Sequence, residues 1–180
     1  DWSSDVCSSD LTVLLVDGDL RRPALTLSAG IVDGAGFGDI LDGRTETVGA
    51  IHSVELFPDR REAGAISIMG AGEKPADFLP AVDWSKARAT LQSIGTSFDL
   101  VLLDSPPILA ANDALLLAGI VDGVLLVIGA GEADRTEVLR AKEKLEPIGT
   151  HLIGAVLNQF DPKLHGPANQ PYLGYNLDRR

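Results

Sequence analysis

The stretch VLLVDGDLRRP at residues 13–23 decides how the rest of the chain is read. Its four leading apolar residues are short and rich in Val and Leu, as in a strand that a parallel sheet buries on both faces. Acids follow at once, with Asp17 and Asp19 standing directly past Val16. The pattern returns in FDLVLLDSPP at 98–107, where Asp104 follows Leu103. With three more runs of this kind, Thr12–Val16, Ala65–Met69, Phe98–Leu103, Gly123–Ile128 and Leu152–Leu157 read as strands. Helical patterns separate them. The sequence therefore predicts an α/β fold with a mostly parallel sheet flanked by helices.

Two of the intervening helices are well marked. Trp84, Ala87, Leu91 and Ile94 share one helical face behind a cap at Asp83, and Val138, Leu139 and Leu145 are placed together on another. Asp134 and Glu137 form a capping-box pair at the start of the second helix, which Pro147 and Gly149 close. From Asp161 the chain is rich in Pro, Gly and polar residues, so 162–180 read as a loose tail carrying both tyrosines, Tyr172 and Tyr175.

Length and composition narrow the class. With 180 residues, 45% of them hydrophobic, the chain suits one ordinary core. Its net charge of −11 and the lack of a Lys/Arg stripe argue against nucleic acid as a partner, since phosphates would be repelled. No run reaches the ~20 apolar residues of a membrane span, so what is present reads as soluble. The opening DWSSDVCSSDL has neither strand nor helix periodicity and is similar to the in-frame translation of a sequencing-library adapter. Residues 1–10 are therefore expected to lie outside the natural fold, and the natural reading frame is expected to begin further upstream. They hold the only cysteine, Cys7, so no thiol chemistry is expected of the remainder.

Ligands of open parallel sheets bind outside the carboxyl ends of the strands. Asp17, Asp19 and Asp104 fall at such ends and are expected to converge in one cleft, where carboxylates suit a hard cation such as Mg²⁺. At a third strand end, GAVLNQFDP places Asn158 past Leu157. An amide offers donor and acceptor together, matching a nucleobase edge, and it is equally at home in a turn. The glycines from Gly34 to Gly43 meet neither dinucleotide nor phosphate-loop spacing and read as loop and helix-end glycines.

At this point VLLVDGDLRRP resembles the Walker A′ motif of bacterial tyrosine kinases, and FDLVLLDSPP resembles their Walker B, in the same order and at similar separation. GFGDILDG, ISIMGAGEKPADFL, DALLLAGIVDGVLLV and GAVLNQFDP continue the likeness from Leu11 to about Pro162. The resemblance implies a P-loop NTPase fold of the deviant-Walker type, its first strand and Walker A loop lying upstream of Thr12. It implies ATP and Mg²⁺ as cofactors, with Asp19 and Asp104 holding the cation largely through its waters and Asp17 near the attacking hydroxyl. Asn158 is then assigned to the nucleotide.

The family works in exopolysaccharide and capsule export. Its implied partners are a membrane chain-length determinant or co-polymerase domain, fused upstream or separate, and further copies of itself for trans-phosphorylation. Its implied place is the cytoplasmic face of the bacterial inner membrane. Family tails carry a dense tyrosine cluster; here Tyr172 and Tyr175 stand as the candidate phosphate acceptors. Arg21 and Arg22 suit either phosphate or plain surface charge. A receiver domain, with Asp104 as phosphate acceptor, is rejected because Asp17 and Asp104 lie too far apart in sequence. A non-phosphorylating ATPase regulator of the partitioning or division-site type stands as the alternative. Without a Walker A loop the chain as given is expected to be catalytically incomplete.

Overall fold

The computed structural model describes residues 11–45, 47–55, 65–72 and 84–161. The chain divides into two compact units, Asp1–Val121 and Asp122–Arg180.

In the first unit the elements run β1 (Val13–Asp17), α1 (Ala24–Ser28), α2 (Phe37–Leu41), a 3-10 turn (Thr47–Ala50), β2 (Ile51–Glu55), β3 (Ala65–Met69), α3 (Trp84–Gly95), β4 (Leu100–Asp104) and α4 (Asp113–Ala118). The sheet order is β2-β3-β1-β4. β1 lies parallel to both β3 and β4, whereas β2 runs antiparallel along β3. The central position of β1 explains its apolar run: Leu14 and Val16 are wholly buried, packed with Phe37 and Met69. α3 turns Ala87, Leu91 and Ile94 into this core, with Trp84 half-buried against it, as the periodicity of the sequence predicts. Its expected cap, Asp83, lies outside the described residues.

A backbone-to-backbone contact fixes α2. Phe37 N–H donates to Gly70 O at 2.8 Å and Gly38 N–H to Ala71 O at 2.9 Å. A Cβ on Gly36 would sit 2.2 Å from Gly72 N, and Gly72 itself takes a φ of +82°, so neither position accepts a side chain. Asp39 closes the turn, its Oδ2 accepting Gly36 N–H at 3.0 Å and its Oδ1 pairing Arg44 Nη2 at 3.0 Å. These glycines serve close packing.

The second unit holds β5 (Val124–Gly129), α5 (Arg135–Leu145), a 3-10 turn (Glu146–Ile148) and β6 (Leu152–Asn158), with β5 and β6 parallel. The expected capping box is present: Asp134 Oδ1 accepts Glu137 N–H at 2.8 Å and Glu137 Oε2 accepts Asp134 N–H at 2.9 Å. Gly149 ends the following turn in the left-handed region.

Three features depart from the sequence reading. β2 was not expected; as an edge strand it needs no continuous apolar run. The expected burial on both faces is not met: β1 buries Leu14 and Val16 fully and Val13 and Leu15 in part, and β4, β5 and β6 carry exposed apolar residues such as Leu102, Val127 and Ile153. Leu139 is 48% exposed, since the buried stripe of α5 runs through Ala141 and Leu145 and Leu139 lies off it.

Candidate functional site

The three sequence-predicted acids of the first unit meet at the carboxyl ends of β1 and β4. Asp17 and Asp104 are register partners across the parallel pair, and Gly18 N–H donates to Asp104 O at 3.0 Å, which ties the loop after β1 to the end of β4. Parallel pairing puts both strand ends at one edge, so the shared spacing of acid after apolar run becomes proximity in space.

Each acid has different surroundings. Asp17 is wholly buried and accepts from three donors: Asp19 N–H at 3.2 Å on Oδ1, then Thr26 N–H at 2.8 Å and Thr26 Oγ1–H at 2.6 Å on Oδ2. An acceptor-only carboxylate matches such a set. Asp19, 9% exposed, uses Oδ1 to accept Arg21 N–H at 3.1 Å and Arg22 N–H at 2.9 Å, an Asx-type turn that shapes the start of the DLRRP segment. Its Oδ2 has no hydrogen-bond partner among the described residues. Asp104 lies at the open edge. Desolvation pushes its carboxyl above the usual carboxylate range; the charge of Asp17 adds to this, Ser105 N–H opposes it, and the charge of Asp19 adds a little more.

Burial and the charge of Asp17 disfavour the ionised form of Asp104, and a cation beside it would offset both. Among the described residues no group of three or more His, Cys, Asp or Glu side chains is gathered closely enough to hold a metal alone. Mg²⁺ keeps several waters and takes one or two carboxylates together with substrate phosphates. Asp19 Oδ2 and the Asp104 carboxylate fit this demand.

Two contributors, Asp113 and Thr26, escaped the sequence reading. Arg21 Nε pairs with Asp113 Oδ2 at 2.6 Å, with Asp113 buried at the start of α4, so this arginine is tied to the fold beside the acids. Thr26, one turn into α1, is the main partner of Asp17. Both belong to helices too short to show a periodicity. Asn158 sits in the second unit at the end of β6, where its Oδ1 accepts Gln159 N–H at 2.9 Å and its carbonyl accepts Ala130 N–H at 2.9 Å. Its amide oxygen is thus engaged locally, by the next backbone N–H at the strand end. Tyr172 and Tyr175 lie outside the described residues.

No family model matches the chain. It is 32% identical over 147 residues to the tyrosine-protein kinase YwqD of Bacillus subtilis, covering 81% of this chain and 59% of that protein. It is 28% identical over 153 residues to the tyrosine-protein kinase etk of Escherichia coli, covering 85% of this chain and 20% of that protein. The solved kinase domain of E. coli ETK superposes with a TM-score of 0.74 at 29% identity, covering 83% of this chain and 56% of that one. The cell division ATPase MinD of Pyrococcus furiosus shares the fold, with a TM-score of 0.64 at 24% identity over 82% of this chain and 59% of that one. The chain spans between a fifth and three-fifths of the length of these two kinases. It has the α/β fold of the P-loop ATPases, and across four-fifths of its residues it is similar to bacterial tyrosine-protein kinases.

Proposed function

We propose that this chain is the greater part of the ATPase domain of a protein-tyrosine autokinase that controls exopolysaccharide or capsule chain polymerisation and export. The observation that carries the reading is the register pairing of Asp17 with Asp104, Asp19 beside them, in a chain whose relatives are tyrosine-protein kinases.

Phosphoryl transfer asks a protein mainly for positioning and charge neutralisation. Bound Mg-ATP would supply the phosphoryl group, and its cation would offset the cost of ionising Asp104. Asp19, through Oδ2, and Asp104 hold the cation, largely through its waters. Asp17 orients the tyrosine hydroxyl or takes its proton. Three of its roughly four acceptor sites are used, which leaves one on Oδ1. Asn158 is assigned to the nucleobase through its amide NH₂. Tyr172 and Tyr175 receive the phosphate, from a neighbouring copy.

Among the described residues no helix is long and apolar enough to cross a membrane. The membrane partner is a chain-length determinant or co-polymerase domain, fused or separate, and the site of action is the cytoplasmic face of the inner membrane. The fold itself is shared with a cell division ATPase, so it does not separate a kinase from a non-phosphorylating regulator.

The test compares this chain with one extended upstream through a glycine-rich phosphate loop and its helix, measuring Mg-ATP affinity by calorimetry and tyrosine phosphate by mass spectrometry. The extended protein is expected to bind at least about a hundredfold more tightly, because oriented N–H donors and a Lys charge are what a polyphosphate requires. Tyr172 and Tyr175 are expected to be phosphorylated. ATP hydrolysis with an unmodified tail would establish the regulator instead.

A further inference from the structure

We propose that Thr26 is a positioning residue for the cation site, acting through Asp17 on Asp19; the inference rests on the kinase reading above and adds to it a residue to which that reading gives no part.

Thr26, in α1, bridges the ends of two strands, β1 and β3. Its hydroxyl accepts Ala71 N–H at 2.9 Å, just past the end of β3, and lies 2.6 Å from Asp17 Oδ2 at the end of β1. A backbone N–H is an obligate donor, so the hydroxyl must accept there, and its single proton is left for Asp17. The direction of the second bond is therefore fixed by the first. Thr26 N–H donates to the same Oδ2 at 2.8 Å, so one oxygen of Asp17 is held from both the main chain and the side chain of one residue. The short O–H···O⁻ bond belongs to the stronger, charge-assisted class.

The consequence reaches Asp19. With Oδ2 clamped, the Asp17 carboxylate cannot turn about its last torsion, and Oδ1 stays where Asp19 N–H meets it at 3.2 Å. Asp19 in turn spends Oδ1 on the Arg21 and Arg22 amides. Its Oδ2 is thereby set in one place at the sheet edge. The chain of bonds runs from Ala71 through Thr26 and Asp17 to Asp19, each link buried or half-buried, and its last atom is the one left open to a cation. Gly70 serves the same device: a Cβ there would come within 3.2 Å of Thr26 Cγ2 and 3.4 Å of Thr26 Oγ1, so the β3 end leaves room for this side chain.

The chemistry asks for a hydroxyl at this position. Thr26→Val keeps the shape and removes both the donor and the acceptor, while Thr26→Ser keeps both and removes a methyl group.

The experiment uses the full-length protein and reads the Mg²⁺ concentration that gives half-maximal tyrosine phosphorylation at saturating ATP. Thr26→Val is expected to raise it by about tenfold, as misplacement of one ligand of a site does. Thr26→Ser is expected to stay within about twofold of wild type, and Gly70→Ala to shift in the same direction as Thr26→Val by jostling Thr26. A second readout needs no activity: in metal-free protein, amide hydrogen exchange at Asp19 and Ala71 is expected to quicken in Thr26→Val and not in Thr26→Ser. A purely structural threonine would lower the active fraction, and so the maximal rate, without moving the Mg²⁺ midpoint; that result overturns the proposal. So does Thr26→Ser behaving like Thr26→Val, which would assign the effect to the methyl group. A wild-type protein that binds Mg-ATP and phosphorylates nothing overturns the kinase reading, and the Mg²⁺ midpoint is then taken from ATP binding, where the same shifts decide for or against Thr26.

Discussion

The quartet Val-Leu-Leu-Val occurs twice in this chain, at Val13–Val16 in β1 and at Val124–Val127 in β5, and the two copies meet opposite fates. In β1, Leu14 and Val16 are wholly buried; in β5, Leu125 is 52% and Val127 is 60% exposed. Local sequence is the same, so the difference comes from what surrounds it. Within its unit β1 has a parallel neighbour on each side and helices against it, whereas among the described residues of the second unit the sheet is the pair β5 and β6. β6 repeats the pattern of β5, leaving Ile153 and Leu157 exposed as well. An apolar run thus reports that a strand is built for burial, and only the neighbours decide whether the burial is met.

The largest effect that sharpens this contrast concerns glycines. Gly36→Ala or Gly72→Ala sets a Cβ against backbone, 2.2 Å from Gly72 N or 2.7 Å from Gly36 N, with Asp39 Oδ2 also in the way of the latter. Backbone cannot step aside as a side chain can, so each is expected to cost about 3 kcal/mol or more in chemical unfolding. Gly154, inside β6, has nothing within 4 Å of its virtual Cβ. Gly154→Ala is expected to be neutral or to stabilise by about 0.5 kcal/mol. Equal costs at the two sites would erase the distinction between the units.

Next in size are the polar anchors. Asp17→Ala leaves three donors without their acceptor in a wholly buried place and is expected to destabilise by about 2–3 kcal/mol. Asn158→Ala loses one exposed bond to Gln159 N–H and is expected to cost under about 1 kcal/mol. Urea titration of the two variants separates them.

The same substitution in the repeated quartet is the most direct comparison. Val16→Thr places a hydroxyl in the core and is expected to cost about 2 kcal/mol, while Val127→Thr is expected to change stability by less than about 0.5 kcal/mol. The second variant, combined with Val156→Thr at its register partner, is expected to raise solubility and lower dye binding to apolar surface, because neighbouring exposed apolar residues favour association. Unchanged solubility would mean that this face is not what drives association.

These contrasts also show what the sequence could and could not carry. The β-strands of the parallel type were legible because their partners made them uniformly apolar, and the acids were legible as a site because each followed such a run. Trp84, Ala87, Leu91 and Ile94 revealed α3 by spacing alone, and the Asp134–Glu137 pair revealed the start of α5. β2 was hidden because Ile51–Glu55 mixes His, Ser and Glu into an edge strand whose pairing with β3 is a tertiary fact. Thr26 and Asp113 were hidden because nothing in one dimension brings a residue nine positions on, or ninety-two, to a particular carboxylate or guanidinium. Leu139 was misplaced on α5 because a third apolar residue within one turn suits two adjacent stripes, and packing chose the other.

The smallest expected effect tests the charge balance at the sheet edge. Asp104 has its carboxyl raised above the ordinary value of 3.8, first by desolvation and then by the charge of Asp17. A raised acid favours the folded state fully while both states hold the proton, and that advantage is lost as pH climbs through the folded value. At neutral pH the ionised Asp104 is therefore a net cost, on the order of 0.5 kcal/mol once solvent screening of this exposed group is allowed for. Asp104→Asn removes the ionisation and should unfold at slightly higher urea than wild type at pH 7. The gap should close as pH falls below the usual carboxylate range, where both proteins are neutral at this position. In the presence of ATP, millimolar Mg²⁺ should close it from the other side, by stabilising wild type more than the variant, since the cation offsets the charge of Asp104. A gap that stayed constant from pH 7 to acid would show that Asp104 matters for shape and not for charge, and would remove the electrostatic argument for a cation between the ends of β1 and β4.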